Sequence, residues 1–158
     1  MKTTRNISIE YTEYGSKEEL STERRALVEL AIEATGTAYS PYSHFCVGAA
    51  VLLDNGEMVH GSNQENVAYP SGLCAERTAL FSASARFPRV PMRKLAIVGK
   101  NQQGQLTSAT PCGACRQVIS EYQDLAGENI EILLYQDGGK VLAFNGIDSL
   151  LPLRFTTF

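Results

Sequence analysis

The sequence predicts an α/β protein, a three-layer α/β/α sandwich around a mixed sheet of about five strands. Segments with helical apolar periodicity alternate with short apolar runs, in the order α-β-β-α-β-α-β-β. A strong hairpin signal, Asp54-Asn55-Gly56, joins the first two strands, and cysteines stand where the second and third helices begin.

Ser16 followed by Glu19 forms a capping box for a first helix through about Gly36, with Leu20, Leu27, Leu30, Ala31 and Ala34 on its inner side. Residues 45–53 form an apolar strand, the Asp54-Asn55-Gly56 turn reverses it, and residues 57–63 return. Cys74 opens a second helix that runs to about Arg86, where Pro88 and Pro91 stop it. Residues 94–99 read as a buried strand, 112–124 as a third helix, 129–135 as a strand, and 140–144 as a last strand after Asp137-Gly138-Gly139. Residues 1–15 read as an N-terminal arm and 16–158 as a single domain, with no repeat, low-complexity tract or linker.

The length of 158 residues suits one domain with a real core. With 44% hydrophobic and 20% charged residues the chain is globular rather than disordered. A net charge of −3 gives no footprint for a nucleic-acid polymer, so a small substrate is expected. The longest apolar run, residues 47–53, is too short to span a membrane, and residues 1–10 lack a signal-peptide core; the expected location is the cytoplasm. There, four cysteines read as metal binding or catalysis rather than as disulfides. Asn6-Ile7-Ser8 fits a glycosylation sequon, which is meaningless without secretion.

The chemistry concentrates in Cys74-Ala75-Glu76 and Pro111-Cys112-Gly113-Ala114-Cys115. Three thiolates, Cys74, Cys112 and Cys115, leave a tetrahedral Zn²⁺ with an open fourth position for a water, which is a catalytic arrangement. Glu76 then stands as the general base for that water. Cys112 and Cys115, three residues apart, fall near one face of a first helical turn at about 100° per residue. Cys74 and Glu76, two apart, would diverge by about 200° in a regular helix, so Cys74 belongs at a cap where the backbone is not yet helical. Two helix starts then converge on the metal. Zinc with three thiolates carries a formal charge of about −1 and acidifies water poorly. Arg77 or Arg116 could withdraw charge from sulfur by hydrogen bonding, and Arg77 is preferred.

Cys46 could instead complete a structural Cys₄ set, although inside an apolar strand it reads better as a small core residue. Asn63-Gln64-Glu65-Asn66, at a strand end before the zinc helix, reads as an ordinary polar loop or as a holder of sugar hydroxyls. Phe45 reads as core packing or as a ring that stacks on a base. Neither His44 nor His60 has ligand spacing with the cysteines.

Taken together, these residues resemble the cytidine deaminase family, in its small-subunit form with three cysteine ligands. The similar stretches are Tyr39-Ser40-Pro41-Tyr42-Ser43-His44-Phe45-Cys46-Val47-Gly48-Ala49-Ala50, residues 61–69, Cys74-Ala75-Glu76-Arg77-Thr78-Ala79-Leu80-Phe81, and Pro111-Cys112-Gly113-Ala114-Cys115-Arg116-Gln117-Val118-Ile119. The resemblance implies hydrolytic deamination of cytidine or 2′-deoxycytidine, one zinc per subunit on Cys74, Cys112 and Cys115, and Glu76 as proton shuttle. It implies further that Asn63 and Glu65 hold the ribose, that Phe45 and the Ala75 backbone meet the base, and that Tyr69 lines the pocket. Leu150-Leu151-Pro152-Leu153-Arg154-Phe155 resembles the family's C-terminal segment, which places Phe155 on the base in a neighbouring subunit's pocket and implies a homotetramer with shared sites. The chain departs from the family pattern at His44, where Lys or Arg is common, at Cys46, where a polar residue is usual, and at Leu153-Arg154, where the family has smaller residues.

Overall fold

A computed structural model describes residues 1–156 of the chain. The elements are β1 (Thr12–Tyr14), α1 (Thr22–Ala34), β2 (Cys46–Leu53), β3 (Met58–Ser62), α2 (Ala75–Arg86), β4 (Met92–Lys100), β5 (Leu106–Thr107), α3 (Gly113–Ala126), β6 (Glu131–Tyr135) and β7 (Val141–Asn145). The sheet runs β1-β7-β6-β4-β2-β3, with β5 also paired to β4. Among these strands β4 and β6, which α3 connects, pair in parallel and the other pairs are antiparallel.

Strand side chains alternate faces, and here both faces are apolar because both are covered. Ala49, Val51, Leu95, Ile97, Ile132, Leu134 and Phe144 pack with α2 and α3 through Ala75, Ala79, Leu80, Ala83 and Ile119. The intervening Ala50, Leu52, Ala96, Val98, Leu133, Val141 and Ala143 pack with α1 through Leu27, Val28 and Ala31. The result is the expected three-layer sandwich. Gly61 of β3 brings α2 close, since a Cβ there would lie 2.5 Å from the Ala79 amide nitrogen.

The hairpin closes as its sequence requires: Gly56 takes φ +84°, its N–H donates to the Leu53 carbonyl at 3.0 Å, and the Leu53 N–H donates to Glu57 at 2.9 Å. Among the described residues the sheet has seven strands rather than about five. The additional ones are β1, inside the arm, and the two-residue β5; neither carries an apolar run, because their pairing with β7 and β4 specifies them. The start of the first helix is also corrected. Glu19 accepts from the Gly15 N–H at 3.0 Å around a single 3₁₀ turn, Lys17–Glu19, and the long helix begins afresh at Thr22. Of its expected inner residues, Leu30 is only partly buried.

Register sets the site. Cys46 pairs with Lys100 and Gly48 with Ser62, so the start of β2 and the ends of β3 and β4 share one end of the sheet. α2 and α3 follow β3 and β4 and therefore begin at that same end.

Candidate active site

Cys74 and Cys112 are the N-caps of α2 and α3, with extended backbone at φ −68°, ψ 156° and φ −67°, ψ 168°. Each carbonyl starts its helix, Cys74 accepting from the Thr78 N–H at 3.1 Å and Cys112 from the Arg116 N–H at 2.9 Å. Neither sulfur makes a cap hydrogen bond, which leaves both directed at the gap between the helices. Cys115, buried in the first turn of α3, completes a group whose three sulfurs lie within 4.8 Å of one another.

This set fits zinc. With Zn–S bonds of about 2.3 Å at tetrahedral angles, ligand sulfurs stand about 3.8 Å apart. Cys74 and Cys112 sulfurs are 3.8 Å apart. Cys46 lies outside the group, its sulfur 3.3 Å from Ser40 Oγ.

The electrostatics suit a cation flanked by a protonatable carboxyl. Hydrogen bonding with Cys115 brings the Cys74 thiol down to about 5 against the opposing effect of burial, and Arg77 acts in the same direction. The same hydrogen bond, together with burial, pushes Cys115 up, so the two sulfurs share a proton that a metal would displace. Arg77 Nη2 donates to Cys74 Sγ at 3.6 Å. Arg116 instead donates Nε to the Pro111 carbonyl at 2.8 Å and Nη1 to the Leu150 carbonyl at 2.6 Å, away from sulfur. Glu76, in the first turn of α2, is only 4% exposed. Burial pushes its carboxyl up to about 7, with the Cys74 thiolate adding to the rise, so it gains and loses a proton near neutrality.

Beside the sulfurs opens a cavity of about 480 Å³ whose wall includes Asn63, Glu65, Tyr69, Cys74 and Arg77. Asn63 is oriented by the lead into β2: Nδ2 donates to the Phe45 carbonyl at 2.9 Å and Oδ1 accepts from the Val47 N–H at 2.8 Å. That leaves one amide hydrogen for a ligand. Glu65 accepts from the Tyr42 N–H at 2.9 Å, the Ser43 N–H at 3.2 Å and the Ser43 hydroxyl, and the Ser43 hydroxyl lowers its pKa most. The Phe45 N–H donates to Ser43 Oγ at 3.1 Å, closing a network around residues 42–47.

Tyr69 is exposed, with its ring edge-on to Tyr42 at 5.7 Å. Ala75 is buried as the first residue of α2, directly between Cys74 and Glu76. Three expected pocket residues, Phe45, the buried Ala75 and Phe155, do not line this cavity. The Phe45 ring lies over Gly99, whose lack of a Cβ makes room for it. Phe155 lies along α3, where its carbonyl accepts from Gln117 Nε2 at 2.9 Å. Ser43 is the residue missed in the sequence, since its partner Glu65 is 22 positions away and no local pattern marks it.

Three clustered thiols and a buried carboxyl, held at two converging helix starts beside a cavity, define a site of the zinc hydrolase kind. Residues 21–126 match the family described as the cytidine and deoxycytidylate deaminase zinc-binding region. The chain is 38% identical over 134 residues to a cytidine deaminase of Halalkalibacterium halodurans, covering 85% of this chain and 95% of that one. It is similar to the crystal structure of a cytidine deaminase from Burkholderia pseudomallei, at 42% identity and TM-score 0.70, covering 82% of this chain and 97% of that one. A more distant relative is a blasticidin-S deaminase of Bacillus cereus, 28% identical over 133 residues, with 82% of this chain and 90% of that protein covered. The chain belongs to the cytidine and deoxycytidylate deaminase family.

Proposed function

We propose that this protein is a zinc-dependent cytidine deaminase, which hydrolyses cytidine and 2′-deoxycytidine to the corresponding uridine with release of ammonia, in pyrimidine salvage. The single observation that carries the reading is the clustering of the Cys74, Cys112 and Cys115 sulfurs with the buried Glu76 nearby, Cys74 standing in the wall of a cavity that Asn63 and Glu65 also line. One zinc per subunit, held by the three thiolates, supplies Lewis-acid activation of water.

The chain's own residues do the rest. Glu76 takes the proton of the attacking water, delivers it to N3 of the base, and assists departure of the 4-amino group as ammonia. The C4–O bond forms first, with water's first proton passing to N3; the C4–N bond breaks afterwards, as Glu76 carries the remaining hydroxyl proton to the amine, so water and cytidine balance uridine and ammonia. Arg77 draws charge from the Cys74 sulfur, which offsets the electron-rich three-thiolate set. Asn63 and Glu65, pre-oriented by residues 42–47, hold the ribose hydroxyls; the Ala75 backbone and Phe45 meet the base, and Tyr69 lines the entry. Phe155 reaches the base in a neighbouring subunit's cavity, and the assembly is a homotetramer with shared sites. The site is that of a small nucleoside rather than a nucleic-acid polymer. No helix among the described residues is long and apolar enough to cross a membrane. The cytoplasm, where thiols stay reduced, is the proposed location.

The 28% match to a blasticidin-S deaminase favours one rival, deamination of another aminated ring. Ultraviolet absorbance of purified protein mixed with cytidine, deoxycytidine, cytosine, CMP and blasticidin S separates them. Loss of the cytidine and deoxycytidine bands is expected. Turnover of cytosine or blasticidin S alone would overturn the nucleoside reading.

A further inference from the structure

One serine hydroxyl joins Glu65 to the lead into β2, the same stretch that orients Asn63. Ser43 stands in the cavity wall; its hydroxyl donates to Glu65 Oε1 and accepts from the Phe45 N–H at 3.1 Å. The Tyr42 and Ser43 N–H groups both donate to the other oxygen, Glu65 Oε2, at 2.9 and 3.2 Å. The turn that carries these donors is closed by the His44 N–H on the Ser40 carbonyl at 3.0 Å, with His44 in the left-handed region at φ 55°.

The proton directions in this network are not interchangeable. Backbone N–H groups only donate, and an ionised carboxylate only accepts. The serine proton has two acceptors in reach, Glu65 Oε1 and the Phe45 carbonyl at 3.4 Å. That carbonyl already takes Asn63 Nδ2 at 2.9 Å, and the charged oxygen is the stronger acceptor, so the proton lies toward Glu65. A carboxylate has about four acceptor sites. The Tyr42 and Ser43 N–H groups fill those of Oε2 and the Ser43 hydroxyl fills one on Oε1, which leaves a single acceptor site, on Oε1. Ser43 is itself exposed, and substitutions at such positions change folding stability little. Holding a ligand-binding oxygen in one direction before the ligand arrives lowers the ordering cost of binding.

We propose that Ser43 is a positioning residue for the reaction: by engaging Glu65 Oε1 it presents that oxygen as one oriented acceptor for a sugar hydroxyl, and so sets the preference for nucleosides that can donate there. The proposal rests on the reading that Glu65 binds the sugar. The effect of Ser43 passes through Glu65.

The test compares kcat/KM for cytidine with that for 2′,3′-dideoxycytidine, whose sugar lacks both hydroxyls, in the parent, Ser43→Ala, Glu65→Ala and the double variant at matched zinc content. Glu65→Ala should lower the ratio of the two about tenfold or more, since a site that hydrogen-bonds a hydroxyl discriminates against its absence. Ser43→Ala should lower it about fivefold, through a raised KM for cytidine with kcat nearly unchanged, and should leave dideoxycytidine turnover as it was. In the Glu65→Ala background it should add nothing. Equal losses on both nucleosides in Ser43→Ala would mean that the serine only supports the turn, and would overturn the positioning role. So would an unchanged ratio in Ser43→Ala beside a lowered one in Glu65→Ala, or full additivity in the double variant. An unchanged ratio in Glu65→Ala removes the sugar reading of Glu65, and the role of Ser43 goes with it. Failure of the zinc-replete parent to turn over cytidine at all would instead remove the proposed function.

Discussion

The two ends of the sheet carry cavities of similar size and opposite character. At the end where α2 and α3 begin, about 480 Å³ is bordered by Cys74, Asn63 and Glu65. At the other end, about 430 Å³ is bordered by charged residues including Asp54, Arg93, Lys94, Glu128 and Glu131. There every basic group is matched: Arg93 with Asp54 at 2.7 Å and Glu128 at 2.8 Å, and Lys94 with Glu23 and Glu131, both at 3.5 Å. At the first end three sulfurs crowd together with no disulfide, a carboxyl is buried, and an amide keeps a spare hydrogen. Volume does not separate the two cavities. Unspent bonding capacity does, because only groups with valence left over can hold a metal or a substrate.

Substitutions at each end should therefore differ in kind. Cys112→Ser should lose most of its zinc and with it the activity, while Cys46→Ser keeps one zinc per chain by elemental analysis. Zinc loss in Cys46→Ser would merge the site with a structural Cys₄ centre. Glu76→Gln should retain zinc and fold yet lose about 10²–10⁴-fold in kcat, since an amide cannot carry the proton; near-normal turnover in a zinc-replete variant would strike Glu76 from the chemistry. Arg77→Gln should weaken zinc retention by about 10- to 100-fold in a chelator competition, the scale for partners that hydrogen-bond a ligand. Retention equal to the parent would mean that its contact with Cys74 does not tune the sulfur. Arg93→Gln, at the matched end, should leave kcat/KM within about twofold and shift Tm by no more than a few degrees. A large loss of turnover there would erase the contrast between the ends.

What the sequence disclosed follows the same division between local and distant causes. The cap at Cys74 was legible because a two-residue spacing constrains where a sulfur can point on a helix, whereas Cys112, expected within the first turn of its helix, is itself the N-cap of α3. The hairpin was legible because Gly56 must adopt positive φ. Ser16 and Glu19 misled: Ser16 makes no side-chain cap bond, Glu19 takes the Gly15 N–H instead, and the single 3₁₀ turn stops at Leu20. β1 could not be read from its own residues: Thr12 finds its partner at Ala143. Asn63 and Glu65 looked like a polar loop, and their bonds to residues 42–47 arise only once β2 and β3 are paired.

β1 also finishes an edge. Thr12, Glu13 and Tyr14 occupy the outer side of β7, Lys140 meets Glu13 at 2.7 Å, and the Tyr11 ring rests 5.3 Å from that of Phe144. Without them β7 would offer a row of bare amides and carbonyls, a template onto which a stray strand of another molecule can dock. Residues 11–14 thus leave only a three-residue strand at this edge, and their removal should be felt as turbidity on storage rather than as slower turnover.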